Sequence, residues 1–168
     1  MVKPGEEGSS IGVSIVKTLD EFYIAVREAF LYGSSVIVED YISGREFSVG
    51  ILSGVPLPPI EIIPKGKFFD YQNKYQKNYT NEICPANLLA GQNAKIQTIA
   101  LQVYRLLGLR AYSRVDFILD DKGDFYCLEA NTLPGMTSES LLPKEAKAAG
   151  YSFAALCGEI VKQTVFEK

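Results

Sequence analysis

The chain has 168 residues, with 17 Lys plus Arg against 20 Asp plus Glu, three cysteines, and neither histidine nor tryptophan. Without histidine it has no Ser-His-Asp triad, no Cys-His pair and no His-ligated zinc. The net charge is −3 with no basic run, and no apolar run approaches the roughly 20 residues that cross a bilayer, so neither nucleic acid nor a membrane is expected as a partner.

The cysteines, Cys84, Cys127 and Cys157, are odd in number and far apart, so neither a disulfide framework nor a metal knuckle is suggested. Each sits beside apolar residues and reads as a buried, reduced thiol of a cytosolic protein.

Val2-Lys3 precedes Pro4-Gly5 like the tail of a strand. Residues 4–12, PGEEGSSIG, form a loop with Ser hydroxyls and N–H groups able to donate to phosphates. It is not a P-loop, lacking GxxxxGK[ST]. Lys3 beside it can reach a phosphate or stand solvated. Thr18 with Glu21 three residues on predicts a capping box. Leu19, Phe22, Tyr23, Val26, Ala29 and Phe30 keep helical spacing as far as Gly33.

Val36 to Tyr41 reads as a strand. It ends at the surface, or offers Glu39 and backbone groups to an adenine. Glu46 to Leu52 is a second strand, and Ser53-Gly54 turns into a Pro-rich strand ending at Ile63. Residues 64–83 mix aromatics, amides and lysines without period, so a long loop of about 20 residues is expected, of the kind used as a lid.

Asn93 is placed to cap a helix whose apolar face is Ile96, Ile99, Ala100, Val103, Leu106 and Leu107, stopped by Gly108. Two strands follow, 111–119 and 125–131, around the turn 120–124. A short helix near Ser140–Ala149 and a last one from Ser152 to Phe166 complete the chain. Hairpins and irregular alternation favour α+β with antiparallel sheets.

The hairpin carries the strongest chemistry. Residues two apart on a strand share a face, so Arg114 pairs with Asp116, and Glu129 with Asn131. A turn symmetric about 120–125 places Asp116 opposite Glu129 and Arg114 opposite Asn131, a register that one residue of slip would break. Two opposed carboxylates repel unless something positive lies between them. Asp, Glu and Asn oxygens suit Mg²⁺, and Arg114 suits a phosphoryl oxygen. Spacing leaves a second reading open, a surface hairpin with solvated carboxylates and Arg114 in a salt bridge. The loop 132–141 offers the Gly135 N–H and a helix start to an anion, or is an ordinary turn with Ser138 or Ser140 as N-cap.

Taken together, VKPGEEGSSIGVS (2–14), VEDYISGREFSVGIL (38–52), FFDYQNKY (68–75), SRVDF (113–117) and LEANTLPGMTSESLLP (128–143) resemble the D-alanine–D-alanine ligases of the ATP-grasp superfamily. The resemblance implies an α+β ATP-grasp fold. Residues 1–43 would be the end of the small ATP-binding subdomain. Residues 44–168 would be the C-terminal subdomain with its lid 64–83 and metal site.

By the same resemblance Lys3, Glu7, Ser9, Ser10, Glu39, Ile42, Glu46 and Lys74 would bind ATP. Asp116, Glu129 and Asn131 would hold two Mg²⁺ ions, with Mn²⁺ as a substitute. Arg114 and the Gly135 N–H would stabilise the oxyanion, with Lys74 at the transferred phosphate and Tyr75 closing over the acceptor. Ser140 and Leu141 would take the second D-alanine's carboxylate. The implied reaction makes an acyl phosphate of one D-alanine, which the amine of the second attacks, for peptidoglycan precursor synthesis in the cytoplasm by a homodimer.

The family's members are longer at the N-terminus, and the groups for the first D-alanine, a histidine among them, lie there. The chain is therefore expected to be a C-terminal part, inactive alone, with apolar strand surface exposed in residues 1–42. The alternatives are a ligase for D-serine or D-lactate, a non-catalytic nucleotide-binding module, and a domain without ligand; by family analogy the Lys74-Tyr75 pair favours an amino-acid acceptor over a hydroxy acid such as D-lactate.

Overall fold

The structure, a computed structural model, describes residues 1–8, 10–64 and 80–166. Among them two compact units are distinct: Met1–Ile42 with Pro64, Thr80 and Asn81 in the first, and Ser43–Ile63 with the residues from Glu82 onward in the second.

In the first unit β1 (Val2–Pro4) pairs antiparallel with β2 (Val36–Val38), matching Val2 to Val38 and Pro4 to Val36. The second strand is thus shorter than its apolar run, which was expected to continue to Tyr41. Between them lies α1 (Leu19–Ala29), continued by a 3₁₀ turn over Phe30–Tyr32. Thr18 Oγ1 accepts from the Glu21 N–H at 3.2 Å, as a cap should. Glu21 reaches back one residue further than a capping box, to the Lys17 N–H at 2.7 Å.

Val2, Ala25 and Ala29 form a small core with Val16, Phe22, Val26 and Val36. Leu19, Tyr23 and Phe30 share the helical spacing but are exposed, as are Ile37 and Val38. Replacing Thr18 with Ala removes the acceptor for one helix-end N–H, and the expected cost is about 1 kcal/mol. Helical circular dichroism followed through a urea titration checks this.

The second unit is built on an antiparallel sheet in the order β6-β5-β3-β7-β8, with β4 also pairing β3. The strands are β3 (Arg45–Leu52), β4 (Val55–Pro56), β5 (Ile60–Pro64), β6 (Thr80–Ile83), β7 (Tyr112–Leu119) and β8 (Phe125–Asn131). The loop expected to run to residue 83 therefore gives way to a strand at Thr80, where Thr80 and Ile83 supply β-branched side chains. Residues 65–79 of that loop lie outside the described residues.

One face of the sheet is closed by α2 (Ala90–Leu106). Phe47, Val49, Ile51, Val115, Phe117 and Leu119 meet Ile96 and Ala100 there, all buried. The helix begins three residues before Asn93. Its N-cap is Leu89, and the Gln92 side chain accepts the Leu89 N–H at 3.3 Å, while Asn93 sits in the first turn and donates to Gln97 at 3.3 Å. Leu106 and Leu107, assigned to the apolar face by spacing, are exposed because the helix ends there. At the other face α3 (Leu141–Ala148) and α4 (Phe153–Phe166) bring Leu142, Ala146 and Leu156 against Leu52 and Leu57.

The turn between β7 and β8 is organised by Asp120. Its Oδ1 accepts from the N–H groups of Lys122 and Asp124, both at 2.9 Å, which holds its carboxyl below the usual range. The three cysteines are free, but Cys127 is exposed and Cys84 and Cys157 are only half-buried. Cys127 departs from expectation because β8 is the outermost strand. The Cys84 thiol, pushed up to about 12 chiefly by burial, is unreactive.

Candidate functional site

The face of the sheet opposite α2 gathers the chemistry. In the β3–β7 register Glu46 stands opposite Ile118, Ser48 opposite Asp116, and Gly50 opposite Arg114. Across β7 and β8, Asp116 stands opposite Glu129 and Arg114 opposite Asn131. The expected pairing is present, but not because the turn is symmetric. Near the turn Leu119 pairs with Phe125 and Phe117 with Cys127. Continued regularly, that ladder would put Asp116 against Leu128.

Leu128 is instead an extra residue, a β-bulge between the Phe117 and Asp116 pairs. The bulge reconciles two demands on one strand. Phe125 packs edge-on against Phe47 and Phe117 on the α2 face. Glu129 and Asn131, which strict alternation would turn to that same face, oppose Asp116 and Arg114 on the other.

Asp116 is buried and Glu129 exposed. Arg114 holds Asp116 by both oxygens, Nε to Oδ1 at 2.8 Å and Nη2 to Oδ2 at 2.7 Å. This two-point ion pair offsets the repulsion between the opposed carboxylates. Asp116, Glu145 and Glu129 together keep the guanidinium firmly charged, over the opposing effect of burial. The salt bridge foreseen for a plain surface hairpin is thus present, while the solvation foreseen for Asp116 is not.

Asn131 Oδ1 accepts from the Leu133 N–H at 3.0 Å, which starts the loop toward α3. Gly135 lies in that loop and is exposed. Ser140 is the N-cap residue of α3, but its Oγ accepts from the Thr137 N–H at 3.1 Å and meets Thr137 Oγ1 at 2.9 Å, so it closes the loop rather than capping the helix. Leu141 opens the helix. Among the described residues no three His, Cys, Asp or Glu gather as a metal cage. Two carboxylates and a neighbouring amide fit Mg²⁺, which commonly takes one or two carboxylates and fills its shell with water and phosphate oxygens.

In the first unit Lys3 Nζ lies 2.8 Å from Glu39 Oε1. Glu7 is exposed, Ser10 half-buried at a φ of 62°, and Ile42 half-buried. Turns closed by Ile11 N–H to Gly8 O (3.1 Å) and Val13 N–H to Ser10 O (3.4 Å) shape the loop, and Glu6 ties it to Ser34, whose Oγ donates at 2.7 Å. Glu46 of the second unit is half-buried on the face that carries Asp116. Ser9, Lys74 and Tyr75 lie outside the described residues.

Sequence reasoning missed Glu145. It is fully buried on α3, and its Oε1 accepts the Gly50 N–H at 2.9 Å. That N–H falls between the β3 residues paired with β5 and those paired with β4, so the carboxyl takes the place of a strand partner. Burial pushes its pKa up to about 8 against the pull of the Gly50 N–H and Arg114. The available signal was spacing: Leu142, Glu145 and Ala146 fall on one helical face, and that face is buried.

The curated D-alanine--D-alanine ligase of Trichlorobacter lovleyi is 48% identical over 161 residues, covering 95% of this chain and 51% of that protein. That of Acinetobacter baumannii is 41% identical over 167 residues, covering 98% and 54%. The chain spans about half the length of the curated relatives it matches.

Among solved structures, D-alanine--D-alanine ligase from Bacillus anthracis complexed with ATP superposes with a TM-score of 0.84 at 35% identity, covering 98% of this chain and 51% of that one. The VanG D-Ala:D-Ser ligase from Enterococcus faecalis gives 0.85 at 33% identity, covering 95% and 48%. The fold is therefore the α+β ATP-grasp fold of these ligases, with antiparallel sheets packed against helices. No helix among the described residues is long and apolar enough to cross a membrane. With residues 1–162 matched by the family described as D-ala D-ala ligase C-terminus, the chain belongs to that family.

Proposed function

We propose that this chain supplies the nucleotide- and metal-binding part of a cytoplasmic, homodimeric enzyme that joins two D-alanines at the expense of ATP, through an acyl phosphate, for peptidoglycan precursors. The observation that carries this reading is the Asp116–Glu129 cross-strand pair with Arg114 on Asp116, in a chain 35% identical to a ligase solved with ATP.

Asp116, Glu129 and Asn131 would hold Mg²⁺, two ions when nucleotide is bound and replaceable by Mn²⁺, and the metal would neutralise phosphate charge. Lys3 and Glu39 are the nucleotide contacts of the first unit, together with Glu7, Ser9 and Ser10 of its loop and the backbone of Ile42. Glu46 accepts from ribose hydroxyls. Arg114 and the Gly135 N–H stabilise negative charge on the carbonyl oxygen under attack. Lys74 holds the transferred phosphate, and Tyr75, Ser140 and Leu141 hold the acceptor. The likeness to a D-Ala:D-Ser ligase supports a second reading with D-serine as acceptor. Product analysis with D-alanine and D-serine separates the two.

ATP with Mg²⁺ is expected to raise the melting temperature of this chain, since a ligand that binds only the folded state stabilises it by mass action. Glu129→Gln, which keeps the shape and removes one ligand charge, is expected to lose most of that rise while leaving the unliganded melting temperature within a degree or so. An equal rise in the variant would remove Glu129 from the metal site. No rise in either protein would remove the nucleotide reading for this chain.

A further inference from the structure

Both oxygens of Asp116 already accept from Arg114. A cation arriving between Asp116 and Glu129 therefore meets a guanidinium in place, and the two positive charges repel at short range. The Arg114 side chain is only 17% exposed, so swinging out to water means leaving the site altogether. A nearer acceptor lies on the same face.

Glu145 Oε1 is taken by the Gly50 N–H, but its Oε2 is buried with no hydrogen-bond partner. Gly50 stands opposite Arg114 in the β3–β7 register. Having no side chain, it leaves the space above it to α3: a Cβ there would lie 2.5 Å from Leu142 Cδ1 and 2.7 Å from Glu145 Oε2. The unpartnered oxygen thus sits at the strand position across from Arg114. A buried oxygen without a partner is rare and costs stability. A partner gained in a second state accounts for its retention.

We propose that Glu145 is a positioning residue for Arg114: its free Oε2 is the acceptor that draws the guanidinium off Asp116 when a divalent cation binds between Asp116 and Glu129. The fork of Arg114 keeps its charge inside the site, beside the position where the reacting carbonyl oxygen would develop charge, instead of losing it to solvent. The approaching guanidinium favours the ionised carboxylate and so offsets the effect of burial. This rests on the metal-site reading above.

The test uses Mn²⁺ as the probe, read by paramagnetic broadening of the amide signals of residues 115–117 and 129–131 in this chain. Glu145→Gln keeps the size and the acceptor for Gly50 but is a poor acceptor for a guanidinium. It is expected to weaken Mn²⁺ binding about tenfold, the worth of one charge-assisted hydrogen bond.

In an Arg114→Ala background, with nothing to relocate, Glu145→Gln is expected to change Mn²⁺ affinity less than about twofold, the residue of simple charge removal in a screened site. The Arg114 Nε–H signal of the wild type should also shift on adding Mg²⁺, and that shift should be lost in Glu145→Gln. Equal weakening with and without Arg114, or a Mg²⁺-induced shift that survives Glu145→Gln, overturns the role of Glu145. Absence of broadening at Asp116 and Glu129 in both the wild type and Arg114→Ala overturns the metal site itself, and this inference with it.

Discussion

Gly44→Ala is expected to lower the unfolding free energy by about 3 kcal/mol, the upper range for forcing atoms into a packed site. A Cβ at Gly44 would fall within the carbonyl oxygen of Leu119, with Ile118 Cγ2 at 2.7 Å and the Leu119 carbonyl carbon at 2.8 Å. Two of those atoms are backbone of β7, so no rotamer change relieves the overlap. The strands must part where Arg45 pairs with Leu119, at one end of the longest ladder in the sheet. Urea unfolding of both proteins measures the loss. A shift in midpoint worth less than about 0.5 kcal/mol, the scale of an ordinary surface substitution, would show that the strand end moves aside freely.

The second large effect is one of pH. The carboxyl of Glu145 is raised from 4.5 to about 8 in the folded protein by burial. Between those values the unfolded chain has released the proton and the folded one keeps it. The unfolded state then binds fewer protons, so stability falls as pH rises across this window and is flat below and above it. The groups that bear on Glu145 are Arg114 and the Gly50 N–H, which favour ionisation, and Asp116, which opposes it.

The loss has an upper limit of about 5 kcal/mol, from the worth of each pKa unit. Glu145→Gln keeps the acceptor for Gly50 and carries no proton to lose. Its stability is therefore expected to exceed that of the wild type at pH 8.5 and to match it near pH 4.5. Urea midpoints at the two pH values check this. Parallel pH profiles would mean that Glu145 ionises in the fold at no cost.

Much of the site was legible because it is local. RVDF and LEAN sit on consecutive strands, so a short turn fixes which residues can meet, and the pairs Asp116–Glu129 and Arg114–Asn131 follow. The reason given by symmetry was nonetheless incomplete. The turn-side pairs are offset by one, and Leu128 restores the alignment by bulging. A bulge leaves no composition signal, since it depends on what both faces of the strand must pack against.

Helix boundaries failed for a similar reason. Asn93 has capping chemistry, but Gln92 reaches the Leu89 N–H and the helix begins earlier. Glu145 was out of reach of motif reading because its meaning comes from a glycine 95 positions away. Only the fold brings Gly50 beneath it. The exposure of Leu19, Tyr23, Leu106 and Leu107 shows the complementary point, that periodicity names a face without saying how much of it is covered.

The bulge at Leu128 also bears on how this hairpin can change over generations. It stands between the turn at 120–124 and the pairs that carry Asp116 and Glu129. Lengthening or shortening the turn would reset the pairing only as far as the bulge, which can absorb a stray residue before it reaches the carboxylates. The residue that looks least informative, an exposed leucine between Cys127 and Glu129, thus keeps the phase of everything beyond it.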